Sequence, residues 1–309
     1  MLCNIWVFQM QLLLQIPTKA MNKETDRVRQ KILSKTGDLN FKRRVITMLD
    51  YLDIQPGENI LDMGCGEGFY SMVFDNLYDC KITAVDYDPE ILSLAHKWLD
   101  GRKNVSLEQG DITKLRFPDN YFDKIVCTEV LEHIDDDVTA IKELYRVLKP
   151  GGIIAITVPN KNYPLLWDPL NKIREGLGLG HFSPMSGFWG GIWAKDHKRL
   201  YLPSELKSLA EGAGFLVEDL KALTHFGVPF NHLILWLGKT LYTKMPVSED
   251  VKKSMEKFEW EEGETKRQTF SSFILNKGFS FLKAVDNLNN REFPLTKSTM
   301  AVALKGVKK

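Results

Sequence analysis

Apolar residues along this chain fall into two alternating kinds of segment. Short apolar runs occur at Asn59–Met63, Lys81–Asp86, Val105–Gln109, 124–128 and 153–158. Each is too short for a helix and reads as a parallel strand covered on both faces. Between the runs, apolar residues return at helical spacing: Phe41, Val45, Ile46, Leu49 and Leu52; the stretch 69–74; Ile91, Leu94, Ala95, Trp98 and Leu99; and the stretch 138–148. Gln55-Pro56-Gly57 stops the first helix, Asp88-Pro89 starts the third, and Leu148-Lys-Pro-Gly-Gly152 turns into the fifth strand. Strands alternating with helices require parallel crossovers, so the pattern predicts an α/β sheet with helices on both faces. Ligands of such sheets bind at the carboxyl ends of the strands.

Polar residues break the apolar runs at those ends. Asp62 closes the first strand and is followed by Gly64, Gly66 and Gly68, then by a helix. Glycines let backbone approach a ligand, and the new helix offers free N–H groups. The third glycine of a dinucleotide fingerprint is missing, because Phe69 stands there. Asp86 ends the second strand, where a carboxylate accepts from both hydroxyls of a ribose. Asp111 follows the third strand, either as a ligand contact or as a turn aspartate bonded to its own backbone. Thr128 ends the fourth strand and leads into Glu129-Val-Leu-Glu132-His133.

Taken in order, Asp62-Met-Gly-Cys-Gly-Glu-Gly68, Ala84-Val-Asp86, Gly110-Asp111-Ile112, Phe117-Pro-Asp-Asn-Tyr-Phe-Asp123, Val130-Leu-Glu-His-Ile134 and Leu148-Lys-Pro-Gly-Gly152 resemble class I S-adenosylmethionine (SAM) methyltransferases. The resemblance is to the small-molecule and lipid-quinone branch, type 11 or ubiquinone-biosynthesis methyltransferase-like, and covers about 58–158. It implies a Rossmann-like fold with a seven-stranded, mostly parallel sheet whose last strand is antiparallel. Residues 215–220 fit the sixth strand and 299–306 the seventh. It also implies S-adenosyl-L-methionine as cofactor, held by Asp62, Gly64, Cys65, Gly66, Asp86, Tyr87, Asp111, Ile112 and Thr128. The reaction expected is in-line methyl transfer to a small-molecule or lipid-like acceptor, O-methylation foremost, with His133 as the candidate base and His181 and His197 behind it. The alternatives are an RNA or protein methyltransferase or a non-catalytic SAM-binding protein. Glu129, Glu132 and His133 at i, i+3, i+4 converge if they share a helical turn. That arrangement resembles metal-dependent O-methyltransferases of the ubiquinone pathway and of small-RNA 3′ ends. The same letters occur in metal-free relatives, and no metal is expected here.

Two segments exceed the minimal fold, 160–197 and 223–296, and long connections usually shape a site. They predict a single domain over 41–309 carrying two insertions, preceded by an arm over 1–40. Trp167, Trp189, Trp193 and Trp236 lie in 160–240. They make either a lid or interfacial patch for an apolar acceptor, giving peripheral membrane contact, or an ordinary subcore. The apolar stretch 2–16 lacks a basic leader and is too short to span a bilayer, so Met21 competes with Met1 as the start. With 41 basic against 40 acidic residues, no whole-protein field draws nucleic acid. Cys3, Cys65, Cys80 and Cys127 have no C-x-x-C spacing, which predicts a reduced, cytoplasmic protein.

Overall fold

The structure, a computed structural model, describes residues 38–182, 191–193, 197–227, 280–281 and 283–309. The expectations for 1–37, Trp189, Trp236 and most of the second insertion lie outside these residues.

Seven strands form one sheet: β1 (Asn59–Met63), β2 (Lys81–Asp86), β3 (Val105–Gln109), β4 (Phe122–Thr128), β5 (Leu148–Pro159), β6 (Phe215–Leu223) and β7 (Ala301–Lys308). Their order is β3-β2-β1-β4-β5-β7-β6. β1 pairs in parallel with β2 and β4, and β7 is antiparallel to both β5 and β6. The order reverses between β1 and β4, which opens a crevice above their carboxyl ends. The expected turn at 148–152 is absorbed into β5. Phe122 faces Leu148 and Lys124 already faces Ile153, so the intervening residues bulge, with Gly151 at φ +77°.

α1 (Leu39–Leu52), α2 (Phe69–Leu77) and α3 (Pro89–Leu99) cover one face of the sheet. α4 (Asp137–Val147) and α6 (Pro203–Ala213) cover the other, and α5 (Pro169–Gly176) lies in the first insertion. Capping begins α1 and α3: Asp38 accepts from Asn40 and Phe41, and Asp88 from Glu90. Phe41, Val45, Met48 and Leu52 then turn inward onto the sheet with Met72 and Phe74. The second insertion closes onto α1, where Lys42 and Arg43 both pair with the buried Asp286. In the first insertion, Tyr163, Ile192 and Leu200 form a small cluster with Trp167 and Trp193 against it. Of the two roles open to these tryptophans, the structure takes the subcore.

Candidate functional site

β1 ends in a left-handed turn that side chains other than glycine resist. Gly64, Gly66 and Gly68 have φ +72°, +56° and +86°. Close approach is the reason at Gly64, where a Cβ would stand 2.2 Å from Val130 Cγ2. This contact sets the turn against the chain leaving β4. At Gly66 a Cβ would meet nothing within 4 Å, so the backbone is bare toward open space. The turn is tied to β2 by the N–H groups of Gly64 and Cys65, 2.7 and 2.9 Å from Val85 O.

Carboxylates hold the frame. Asp62 is buried, and its Oδ2 accepts from Ser71 N at 3.0 Å and Ser71 Oγ at 2.7 Å, which fixes the first turns of α2. Burial lifts its pKa from 3.8 to about 6, against the pull of the Ser71 donors. Asp86 accepts from Gly66 N through Oδ2 at 2.9 Å and from Asp88 N through Oδ1 at 3.0 Å. Each oxygen keeps lone-pair capacity for a hydroxyl. Tyr87 is 72% exposed, and its carbonyl receives Gln109 Nε2 at 3.0 Å. Asp111 Oδ1 accepts from Thr113 N and Oγ1, both at 2.8 Å, so this aspartate does make the local turn bond. Ile112 is buried beside it, and burial pushes the Cys65 thiol well up.

Beyond Thr128 the geometry departs from the expected helical turn. Glu129 has φ +55°, and only Leu131–His133 form a short 3-10 turn. Glu129 therefore does not converge with Glu132 and His133 in the expected manner. Its Oε2 pairs with Arg44 Nη1 of α1 at 2.7 Å. The residue that joins Glu132 and His133 is His197, from the far end of the first insertion. One ligand atom from each of the three lies within 4.8 Å of the others. The His133 and His197 rings meet edge to face at 4.7 Å, and His197 Nδ1 lies 2.8 Å from Ile192 O. Glu132 is wholly buried, neither carboxylate oxygen has a hydrogen-bond partner among the described residues, His133 Nε2 lies 3.9 Å from Oε1, and burial, then Glu129 beside it, raises its pKa well above normal. His181 stacks on Trp193 at 3.7 Å. The spacing that singled out Glu129 missed Arg44, and it gave no reason to join His197, a lesser base candidate, to Glu132 and His133. Arg44 carried a signal, a cation three residues after Phe41 on the inward stripe of α1.

The family profile described as "Methyltransferase domain" matches residues 61–156, from β1 into β5. These residues are a class I methyltransferase domain of type 11. The chain also resembles named methyltransferases. Phosphoethanolamine N-methyltransferase 3 of Arabidopsis thaliana is 34% identical over 123 residues, 40% of this chain and 24% of that protein. Demethylmenaquinone methyltransferase of Staphylococcus aureus is 27% identical over 234 residues, 70% of this chain and 94% of that one. The solved phosphoethanolamine N-methyltransferase 2 of Haemonchus contortus, in complex with S-adenosyl-L-methionine, shares the fold with a TM-score of 0.52. Its identity is 16%, over 91% of this chain and 57% of that one. The chain spans about a quarter of the length of the phosphoethanolamine N-methyltransferases it matches, 24% and 22%. S-adenosyl-L-methionine is the cofactor of methyltransferase domains of this class, and the residues here fit it. The bare Gly66 backbone and the two-oxygen acceptor Asp86 suit its ribose and methionyl link, with Ile112 an apolar wall nearby.

Proposed function

We propose that the protein transfers the methyl group of S-adenosyl-L-methionine to an oxygen of a small-molecule or lipid-like acceptor. The observation that carries this reading is the polar cluster of Glu132, His133 and His197 beside the glycine turn. Val130 packs on Gly64, so the residues that follow it stand at the edge of the cofactor cradle. An acceptor hydroxyl must lose its proton as it is methylated, and His133 is the side chain we assign to receive it.

The cofactor supplies an activated sulfonium methyl. The rest falls to this chain. The Gly64–Gly68 turn and Asp86 would orient the ribose and methionyl parts, backed by Asp62, Cys65 and Thr128 at the tip of β4. Asp111 and Ile112 would hold the adenine, with Tyr87 as a further contact. Alignment for in-line displacement supplies about 7–11 kcal/mol. A positioned proton acceptor adds about 3–5 kcal/mol. Positioning therefore dominates, and His133→Ala lowers kcat about a hundredfold while leaving cofactor affinity intact. Unchanged kcat would refute the assignment.

Relatives named for demethylmenaquinone and phosphoethanolamine support a small-molecule acceptor. The direct test is transfer of labelled methyl into a cell extract separated into lipids, polar small molecules, RNA and protein. Label in RNA or protein would overturn the reading.

A second reading is favoured by one observation, the orphaned Glu132 carboxylate facing two imidazoles. A divalent cation held by Glu132, His133 and His197 would polarise the acceptor oxygen. Activity lost on dialysis against a chelator and restored by metal selects this reading; activity indifferent to chelator removes it.

A further inference from the structure

We propose that residues 165–179 form a docking surface for an anionic lipid bilayer. Leu170 and Ile173 share one face of α5, and Leu166 in the turn before it and Leu177 at its end continue the same spacing. With Leu165 and Leu179 they are between 41% and 68% exposed. Single exposed aliphatics need no explanation, but a continuous stripe of them marks an interaction site.

This helix is turned the opposite way from the others. The one residue it buries is Asn171. Its polar side is what packs. Buried Asp168 accepts from Asn171 N and Nδ2 and from Ile192 N at 3.1 Å. Glu175 accepts from Tyr163 OH at 2.9 Å and from Trp193 Nε1 at 2.7 Å. A Cβ on Gly191 would stand 1.7 Å from Asp168 Oδ2, so the polar seam leaves no room for another arrangement.

Charge is sorted in the same sense. Residues 161–182 contain two acids, Asp168 and Glu175, and both are spent in that inner seam. Lys161 is paired with Glu205 at 3.6 Å, so the cations left to this face are Lys172 and Arg174, which lie partly exposed over the Tyr163 and Phe182 rings, with Arg174 Nη2 donating to Leu179 O at 2.9 Å. An outward face made of aliphatic side chains and cations, with its acids withdrawn, complements a surface of acyl chains under anionic headgroups. Among the described residues no helix is long and apolar enough to cross a membrane, so the contact is peripheral. The expected patch was aromatic; here the aromatics brace it from inside and leucines meet the solvent.

The inference adds a place of encounter to the proposed function but is tested without it, because vesicle binding is measured with neither cofactor nor acceptor. Tag-free full-length protein is floated with phosphatidylcholine vesicles with and without phosphatidylglycerol. The expected result is flotation with the anionic vesicles, roughly tenfold weaker on the neutral ones. The Leu166→Glu/Leu177→Glu double variant changes only exposed positions. It loses flotation while keeping its circular dichroism spectrum and its affinity for S-adenosyl-L-methionine. The proposal is overturned if the wild type stays in solution, or if the double variant floats like the wild type. It is equally overturned if wild-type protein self-associates without lipid and the variant does not, which would make the stripe a contact between copies.

Discussion

Replacing Asp62 by asparagine should make the cofactor-free protein more stable at neutral pH, in a way that depends on pH. Asp62 is 2% exposed, and burial raises its pKa from 3.8 to about 6. Between those values the folded state binds more protons than the unfolded one, so stability falls as pH rises and levels off above about 6. The full penalty of the ionised carboxylate is about 3 kcal/mol. By the same relation it is about 1 kcal/mol at pH ~4.5, so about 2 kcal/mol appears between pH ~4.5 and ~7.5. Asparagine keeps an oxygen for Ser71 N and Oγ but carries no charge. Its weaker acceptor costs about 1 kcal/mol, which is constant with pH. Urea unfolding of wild type and Asp62→Asn at both pH values, compared at equal m, isolates the ionisation part. The stability difference should shift in favour of the variant by about 2 kcal/mol on going to the higher pH. A difference that stays constant within error would refute the reasoning, because Asp62 would then ionise in the folded protein as it does unfolded. If, as proposed, Asp62 lies beneath the cofactor, the same variant should also bind S-adenosyl-L-methionine more weakly, which calorimetry would show.

Two glycine variants separate strain from ligand contact. Gly64→Ala drives a Cβ into Val130 and should lower stability by about 2–3 kcal/mol in urea unfolding. Gly66→Ala meets no atom of the protein, so it should cost only about 1 kcal/mol of backbone strain yet abolish cofactor binding by calorimetry. Equal affinity in Gly66→Ala and wild type would remove the turn from the cofactor site. Arg44→Met leaves Glu129 without its partner in a half-buried position. It should destabilise the fold by about 3 kcal/mol, while Arg44→Met/Glu129→Gln recovers most of that loss.

The sheet was legible because β1, β2 and β4 are covered on both faces and leave uninterrupted apolar runs. The acids that end them were legible for the complementary reason: Asp62 and Asp86 interrupt those runs just where backbone leaves the core. Asp111 was read with two outcomes open, and the local bond to Thr113 accounts for one of its oxygens. The pairing of β7 between β5 and β6 does not follow from periodicity. It entered through family resemblance, since nothing local in 299–306 says which strands it joins. The polar cluster was read only halfway. Glu132 and His133 are neighbours in sequence, but His197 reaches them through the fold. Glu129 leaves them because a left-handed residue breaks the helical spacing on which the reading depended. The tryptophans were read with two roles open, and the sequence could not choose for Trp167 and Trp193. Composition reports that aromatics are concentrated in 160–240 but not which way they face, and Trp193 Nε1 is held inward by Glu175.

The antiparallel seam of β6 and β7 bears on how the domain assembles and diversifies. Leu223 sits opposite Ala301, so the long second insertion leaves the sheet and returns at one point. The entropy of closing such a loop grows only with the logarithm of its length, about 0.6 kcal/mol for each doubling. The strands β3-β2-β1-β4-β5 carry the glycine turn, Asp86 and Asp111, and are joined by shorter crossovers. Insertions of very different size can therefore be hung from this hinge without retuning the cradle, which leaves the choice of acceptor free to drift while the donor site stays fixed.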